Sequence, residues 1–206
     1  MKLPTLQEEI KLWKQGYKKV AGIDEVGRGP LAGPVVACAF VIIARTFLRR
    51  RSVLRNIKDS KQLSGDQREK FYKILTEDSD IEWGIGMVSE KVIDKINILE
   101  ATKLAMQKAV KKLKKPDFLI LDGNFSIKSD IPQKSIIKGD EKVFSCSCAS
   151  IIAKVMRDRL MLKYDKKYPH YDFAGNKGYP TKQHRAMLRK YGRCDIHRNS
   201  FHYAST

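Results

Sequence analysis

Four acids stand where chemistry would be expected. Asp24 and Glu25 lie side by side after the apolar run "VAGI", Asp122 follows "FLIL", and Asp140 follows "SIIKG". Each arrangement puts a carboxylate at the C-terminal end of a strand-like run, and in sheets with parallel strands those ends are where sites gather. Carboxylates converging there repel one another unless cations lie between them. Carboxylate and water oxygens are the ligands that Mg²⁺ and Mn²⁺ prefer. Two such ions can stabilise both the attacking and the leaving oxygen of a phosphodiester cleavage. Taken singly, each acid has a plainer reading: a turn and a cap for Asp24 and Glu25, an Asp-Gly turn for Asp122 in "LDGN", and a helix cap for Asp140. Their repetition in a strongly basic chain favours the metal reading. Adjacent strand residues point to opposite faces, so Asp24 and Glu25 are expected to share a site only if the strand ends or bulges there. Gly27 and Gly29 would permit that.

The elements that must position these acids follow from the pattern of apolar residues. Leu6, Ile10 and Trp13 mark a short amphipathic helix within residues 6–15. "KVAGID", "PVVACAFVII" and "IEWGIGMVS" read as three strands close enough in sequence to form a meander. "RTFLRRRSVLRN" reads as an exposed tip or loop. Ser64 and Gln67 form a capping-box signal before "KFYKILTE". Asn97 and Glu100 give a similar start signal, after which Ile98, Thr102, Ala105, Ala109 and Leu113 recur at helical spacing and Pro116 stops the run. "DFLILDGN" and "KSIIKGD" read as two further strands, separated by enough chain to add in parallel. "SCASIIAKVMRDRLMLKYDKKY" reads as a second long helix. The expected fold class is α/β: a mixed β-sheet flanked by helices, in one domain over 1–206, with an N-terminal helix over about 1–18 and a C-terminal loop and helical extension over about 170–206.

Composition narrows the partners. Among 206 residues, Lys+Arg number 41 against 23 Asp+Glu, a formal net charge of +18. Such an excess points to a polyanion, nucleic acid before an anionic membrane surface. There is no apolar run of transmembrane length, and the N-terminus lacks the apolar core of a secretory signal, so a cytoplasmic protein without membrane attachment is expected. The four cysteines, Cys38, Cys146, Cys148 and Cys194, match no zinc or redox spacing and read as reduced and mostly buried. The histidines show no metal-binding helix spacing.

The stretches "GIDEVGRGPLAGPVV", "DSKQLS", "INILEATKLAMQKAV", "LILDGN", "IIKGD", "ASIIAKVMRDRLM", "NKGYPTKQH" and "RNSF" occur in this order from Val20 to Phe201. They resemble the type 2 ribonucleases H, and within them the bacterial ribonuclease HII family. The first stretch is long and specific; the others would be weak alone. The resemblance implies a ribonuclease H-like fold. It also implies a metal-dependent endonuclease that cuts the RNA strand of RNA–DNA hybrids and cuts 5′ of a single ribonucleotide in duplex DNA, leaving a 3′-hydroxyl and a 5′-phosphate. By the same resemblance Asp24, Glu25, Asp122 and Asp140 are the catalytic, metal-binding acids, serving two Mg²⁺ or Mn²⁺ ions. Gly27-Arg28-Gly29 would touch the ribose 2′-hydroxyl and nearby phosphates, and Tyr179 would stack on the sugar of the next deoxynucleotide.

Those roles make physical sense. The 2′-hydroxyl is what separates RNA from DNA at one nucleotide, glycine permits the close approach needed to read it, and arginine offers a forked donor to phosphate. Alone, Arg28 would read equally well as a surface ion-pair partner, and Tyr179 as a half-buried surface tyrosine. Lys61, Ser150 and Lys154 are further substrate-binding candidates; Ser150 and Lys154 share a helix face, and Asp158 extends that row. Two features depart from the family: Asn176 stands where histidine often precedes "KGYP", and two cysteines occupy "FSCSCAS", a source of oxidation sensitivity. The chain is read as a monomer with no sign of a sliding-clamp partner. The rival readings are a DNA nuclease on the same fold, which would lose dependence on the ribose, and a non-catalytic nucleic-acid binder, which would not need the acids.

Overall fold

The computed structural model describes residues 3–43, 57 and 60–202. The basic stretch over 45–56 lies outside the described residues. Helix α1 (Gln7–Lys14) leads into strands β1 (Val20–Val26) and β2 (Val35–Val41). A 3-10 turn at Ser60–Gln62 precedes helix α2 (Gly65–Glu77), then come strand β3 (Glu82–Val88) and helix α3 (Glu90–Val110). Strands β4 (Phe118–Asp122) and β5 (Gln133–Ile136) are followed by the short helix α4 (Gly139–Lys142) and the long helix α5 (Phe144–Lys167). A 3-10 turn at Pro169–Tyr171, helix α6 (Phe173–Asn176) and helix α7 (Lys182–Tyr191) complete the described elements.

The five strands form one mixed sheet in the order β3-β2-β1-β4-β5. β1 pairs antiparallel with β2 and parallel with β4; β2 pairs antiparallel with β3, and β4 parallel with β5. This is the meander followed by parallel additions that the sequence implies. The sheet is covered on both sides, which is why every residue of β2 is buried. Ala21, Ile23, Leu119 and Leu121 pack with α3, on the face that also takes Ala37 and Ala39. On the other face, Cys38 and Phe40 pack with α5 residues from Phe144 to Ala153. Side chains alternate along each strand, so Gly22, Asp24, Ile120 and Asp122 all belong to the α5 face.

Helix α5 is set tightly against β1. A Cβ on Gly22 would collide with Ser145, so glycine is what lets the helix approach. No side chain of its own caps α5. Instead the fully buried Glu9 of α1 accepts from the Ser145 amide at 2.8 Å and the Ser145 hydroxyl at 2.7 Å. A carboxylate thus meets the positive end of a helix across the fold.

Three details differ from the sequence-based expectation. Helix α3 begins at Glu90, seven residues before Asn97, and is broken at Asn97 (φ 64°, ψ 168°). The Asn97 side chain accepts from the amides of Leu99 at 2.9 Å and Glu100 at 3.1 Å, so it caps the second segment while an unforeseen first segment precedes it. Strand β5 is a half-exposed edge and ends at Ile136, so Asp140 sits beyond it on α4. Helix α5 starts at Phe144, before "SCAS". The Ser64–Gln67 capping box is present as expected. Among the described residues, no helix is long and apolar enough to cross a membrane.

Candidate active site

Parallel pairing brings two of the acids side by side. Ile23 of β1 stands opposite Leu121 of β4, so Asp24 and Asp122 follow on neighbouring strands and on the same face. Asp140 joins them from α4: Lys138 takes a left-handed conformation (φ 59°), and the Gly139 amide then donates to Asp122 Oδ1 at 2.7 Å. One oxygen from each of Asp24, Asp122 and Asp140 lies within 4.8 Å of the others. Asp24 and Asp140 are almost fully buried. Burial first, and then the charges of Glu25 and Asp122, hold the Asp24 carboxyl well above the usual carboxylate range. Burial also raises Asp122, against the pull of the Gly139 amide.

The supporting contacts are few. The Glu25 amide donates to Asp24 Oδ1 at 2.7 Å, and the Ser150 hydroxyl also bonds Asp24. Ser150 lies 2.9 Å from the Ser60 hydroxyl. If Ser150 gives its proton to the carboxylate, Ser60 must supply the donor between the two hydroxyls. The Lys61 ammonium lies 2.8 Å from Asp140 Oδ2 with its side chain largely exposed. Lys154 pairs with Asp158 at 2.8 Å. Ser150 therefore faces the acids and not open solvent, while Lys61 touches the acid cluster directly.

Glu25 stands apart from the other three. The pairing Asp24↔Cys38, Glu25↔Ala37, Val26↔Val36 runs without interruption. The expected strand end or bulge at the acidic pair is therefore absent, and the chain turns only at Gly27 (φ +93°). By strand alternation Glu25 points to the opposite face. Its Oε1 lies 3.2 Å from Arg28 Nη1, while its Oε2 is buried with no hydrogen-bond partner. Burial, offset by Arg28 and reinforced by Asp122, pushes the Glu25 carboxyl up to about 6.

The loop after β1 brings the remaining candidates together. Arg28 is exposed and stands over the Phe125 ring at 5.9 Å. A Cβ built on Gly29 would lie 3.7 Å from Cε1 of Tyr179, whose side chain is exposed. Gly27, Arg28, Gly29 and Tyr179 therefore form one wall. Asn176, the departure from the family pattern, is buried behind it. Its amide nitrogen donates to the Tyr171 carbonyl at 2.6 Å, and its Oδ1 accepts from the Gly178 amide at 2.7 Å.

Two fully buried arginines hold this wall; both lie in stretches that carry the resemblance, Arg157 in "ASIIAKVMRDRLM" and Arg198 in "RNSF", but neither was singled out in the sequence as a site residue. Arg157 donates to the carbonyls of Pro34 (3.0 Å), Lys177 (2.9 Å) and Ala32 (3.0 Å). Arg198 donates to the carbonyls of Gly33 (3.0 Å), Arg28 (2.9 Å) and Gly27 (2.5 Å). Burial lowers both, Arg198 to about 9. Arg157 does leave one signal: it sits on the stripe Ala149, Ala153, Met161 that α5 buries, where a charged residue must find polar partners. Cys38, Cys146 and Cys148 are buried free thiols, raised by burial. Shielding of this kind argues against the oxidation sensitivity expected of "FSCSCAS".

The donor set suits a hard cation. Asp24, Asp122 and Asp140 offer only oxygen, they are crowded together in a buried place, and Glu25 adds a buried carboxylate oxygen without a partner. Lys61 meets Asp140 only from the exposed side, and the cations that take all-oxygen ligands are divalent ions of the Mg²⁺ type.

A mixed sheet in this order, with acids on adjacent central strands that could hold a metal, is the architecture of the ribonuclease H-like fold. The profile described as Ribonuclease HII matches residues 21–204. Ribonuclease HII of Acetivibrio thermocellus is 51% identical over 197 residues, covering 94% of this chain and 73% of that protein. Ribonuclease HII of Chlamydia caviae is 50% identical over 198 residues, covering 96% and 90%. Among solved structures, ribonuclease H2 from Pyrococcus horikoshii OT3 aligns with a TM-score of 0.72 at 32% identity, covering 89% of this chain and 93% of that one. The chain belongs to the ribonuclease HII family, and it is a ribonuclease H hydrolase.

Proposed function

We propose that the protein hydrolyses the RNA strand of RNA–DNA hybrids and cuts on the 5′ side of single ribonucleotides in duplex DNA, leaving a 3′-hydroxyl and a 5′-phosphate. The observation that carries this reading is the three-acid cluster lying at the end of β1, the strand that runs straight into the Gly27–Gly29 wall. Asp24, Asp122 and Asp140 would hold Mg²⁺ or Mn²⁺, with Glu25 completing the set from the far side of β1. When bound, such ions supply water activation and stabilisation of the leaving oxygen. The protein's own groups do the rest. Arg28, exposed at the rim, takes a phosphate. The open backbone at Gly29 admits the ribose 2′-hydroxyl, and the Tyr179 ring packs on the adjacent deoxyribose, where a second 2′-hydroxyl would crowd it. Lys61 pairs with Asp140 from the exposed side, and with a divalent ion bound to that acid its long stem would let it reach the nucleic-acid backbone instead. The buried Ser150 bonds Asp24 and so supports the site from behind, while Lys154 is held by Asp158.

The test is a DNA duplex carrying one ribonucleotide, incubated with Mg²⁺, with Mn²⁺ or with chelator, beside an all-DNA duplex. A metal-dependent cut 5′ of the ribonucleotide, absent from the all-DNA duplex, supports the reading. Equal cutting of all-DNA duplex would identify a DNA nuclease on this fold; tight binding with no cut in either metal would identify a binding protein.

A further inference from the structure

His184 and His197 belong to no catalytic or metal-binding pattern, yet both are buried. Their rings lie 5.3 Å apart, and Tyr171 and Phe173 enclose them edge-on at 4.9 and 5.5 Å. Every ring nitrogen is engaged. The Cys194 amide lies 2.9 Å from His197 Nδ1, the two Nε2 atoms lie 3.0 Å apart, and His184 Nδ1 lies 2.9 Å from the Tyr179 carbonyl.

For two neutral rings the proton placement follows from the Tyr179 end. A carbonyl only accepts, so His184 carries its proton on Nδ1 and leaves Nε2 bare. His197 Nε2 then donates to His184 Nε2, which leaves His197 Nδ1 as an acceptor. The Cys194 amide at 2.9 Å is the nearest donor to that nitrogen and the Cys194 thiol lies 3.1 Å away, while the Cys194 carbonyl, 3.3 Å from it, already accepts from the His197 amide at 2.9 Å. The chain ends on the main chain of the residue that stands against Gly29. The Tyr179 carbonyl also accepts from the Thr181 amide at 2.8 Å, and the Tyr179 amide donates to Asn176 at 2.9 Å. At its other end the segment is pinned to the loop after β1: His197 bridges to Ala32, and the Arg198 amide donates to the Leu31 carbonyl at 2.8 Å.

We propose that His184 and His197 are positioning residues that fix the Tyr179 backbone relative to Gly29, through an ordered chain of protons running from the Cys194 amide to the Tyr179 carbonyl. This rests on the reading of Tyr179 as a sugar contact. Two buried neutral rings do what a water or a carboxylate would do less firmly, since each can carry its proton on only one side once the Tyr179 carbonyl is in place. Burial lowers both histidines, His197 to about 4, with Asp172 and Arg193 the other charged groups acting on the pair and the Cys194 thiol 3.1 Å from His197 Nδ1. The chain is therefore neutral near pH 7.

The experiment measures kcat/KM on a single-ribonucleotide duplex and on a uniform RNA–DNA hybrid, and takes their ratio. A loss of stability lowers both rates together, whereas a misplaced Tyr179 lowers the ratio. The expected results are a ratio about tenfold lower in His184→Ala, the scale of one lost buried hydrogen bond, and a His184→Ala/Tyr179→Ala double variant no worse than Tyr179→Ala alone. His184→Asn, which keeps a donor near the Nδ1 position, restores most of the ratio. Should His184→Ala fail to fold, His197→Phe and His197→Gln carry the test: the first removes the donor to His184 and lowers the ratio, and the second keeps a donor and preserves it. An unchanged ratio in His184→Ala or His197→Phe, or multiplicative losses in the double variant, overturns the proposal. An unchanged ratio in Tyr179→Ala overturns the sugar-contact reading itself, and the proposal with it.

Discussion

Asp122 is held from behind by the Gly139 amide, and that bond also brings Asp140 to the cluster. Asp122→Asn keeps an oxygen for this amide but removes a negative charge facing the other acids. Cleavage of a ribonucleotide-containing duplex is expected to fall about 100- to 1,000-fold, the scale of losing one preorganised electrostatic partner; assays under saturating Mg²⁺ check this. Asp24 is the most buried charge conflict, raised by burial, Glu25 and Asp122. Relieving the conflict should stabilise the metal-free protein, so Asp24→Asn is expected to raise Tm in chelator by about 2–4 °C, equivalent to roughly 1 kcal/mol for a chain of this size. A lower Tm in chelator would mean that the acids are not in repulsion.

At the level of elements, α5 depends on its borrowed cap. Glu9→Ala leaves the Ser145 amide and hydroxyl without their acceptor, and urea unfolding should show a loss of about 1–3 kcal/mol. Glu9→Gln retains an acceptor oxygen and should lose less. The C-terminal elements carry a different sensitivity. His197 titrates near 4 in the folded protein, below its usual value in an unfolded chain. The unfolded state therefore takes up the proton first as pH falls. The contribution of the histidine pair is full above about 6.5 and is lost progressively down to about 4, and His197→Phe should flatten that part of the stability–pH curve. Much of the architecture was legible because apolar runs and caps are local: the three-strand meander, the parallel additions and the Ser64 cap all followed from neighbouring residues. Asn97 was legible as a cap, but nothing local announced the helix ahead of it. The separation of Glu25 from Asp24 was a question of strand continuity, which pairing with β2 decides. The roles of Arg157 and Arg198 were hidden because most of their partners are backbone groups far away in sequence, and a backbone carbonyl has no residue type to read; the histidine pair was hidden because its ends are a nearby carbonyl and a nearby amide, which carry no residue type either.

For the whole molecule, the formal charge of +18 is expected to draw in a polyanionic duplex. Binding of an inactive Asp122→Asn variant to a hybrid duplex should weaken linearly in log–log terms with salt, by about 1,000-fold between 50 and 200 mM if some six phosphates are neutralised. Arg28→Ala should reduce the slope by about one. A flat salt response would show that the basic surface does not meet the backbone.

The hydrogen bonds from Arg198 to the carbonyls of Arg28 and Gly27 span 170 and 171 residues. A chain emerging from the ribosome has therefore made all four acids before it makes the residue that closes the wall beside them. On the proposed reading, the residues that would hold ions are made first and the residue that braces the sugar-reading wall is made last. A nick in the chain just ahead of Arg198 is then expected to spare the acids and their sheet and to weaken the discrimination.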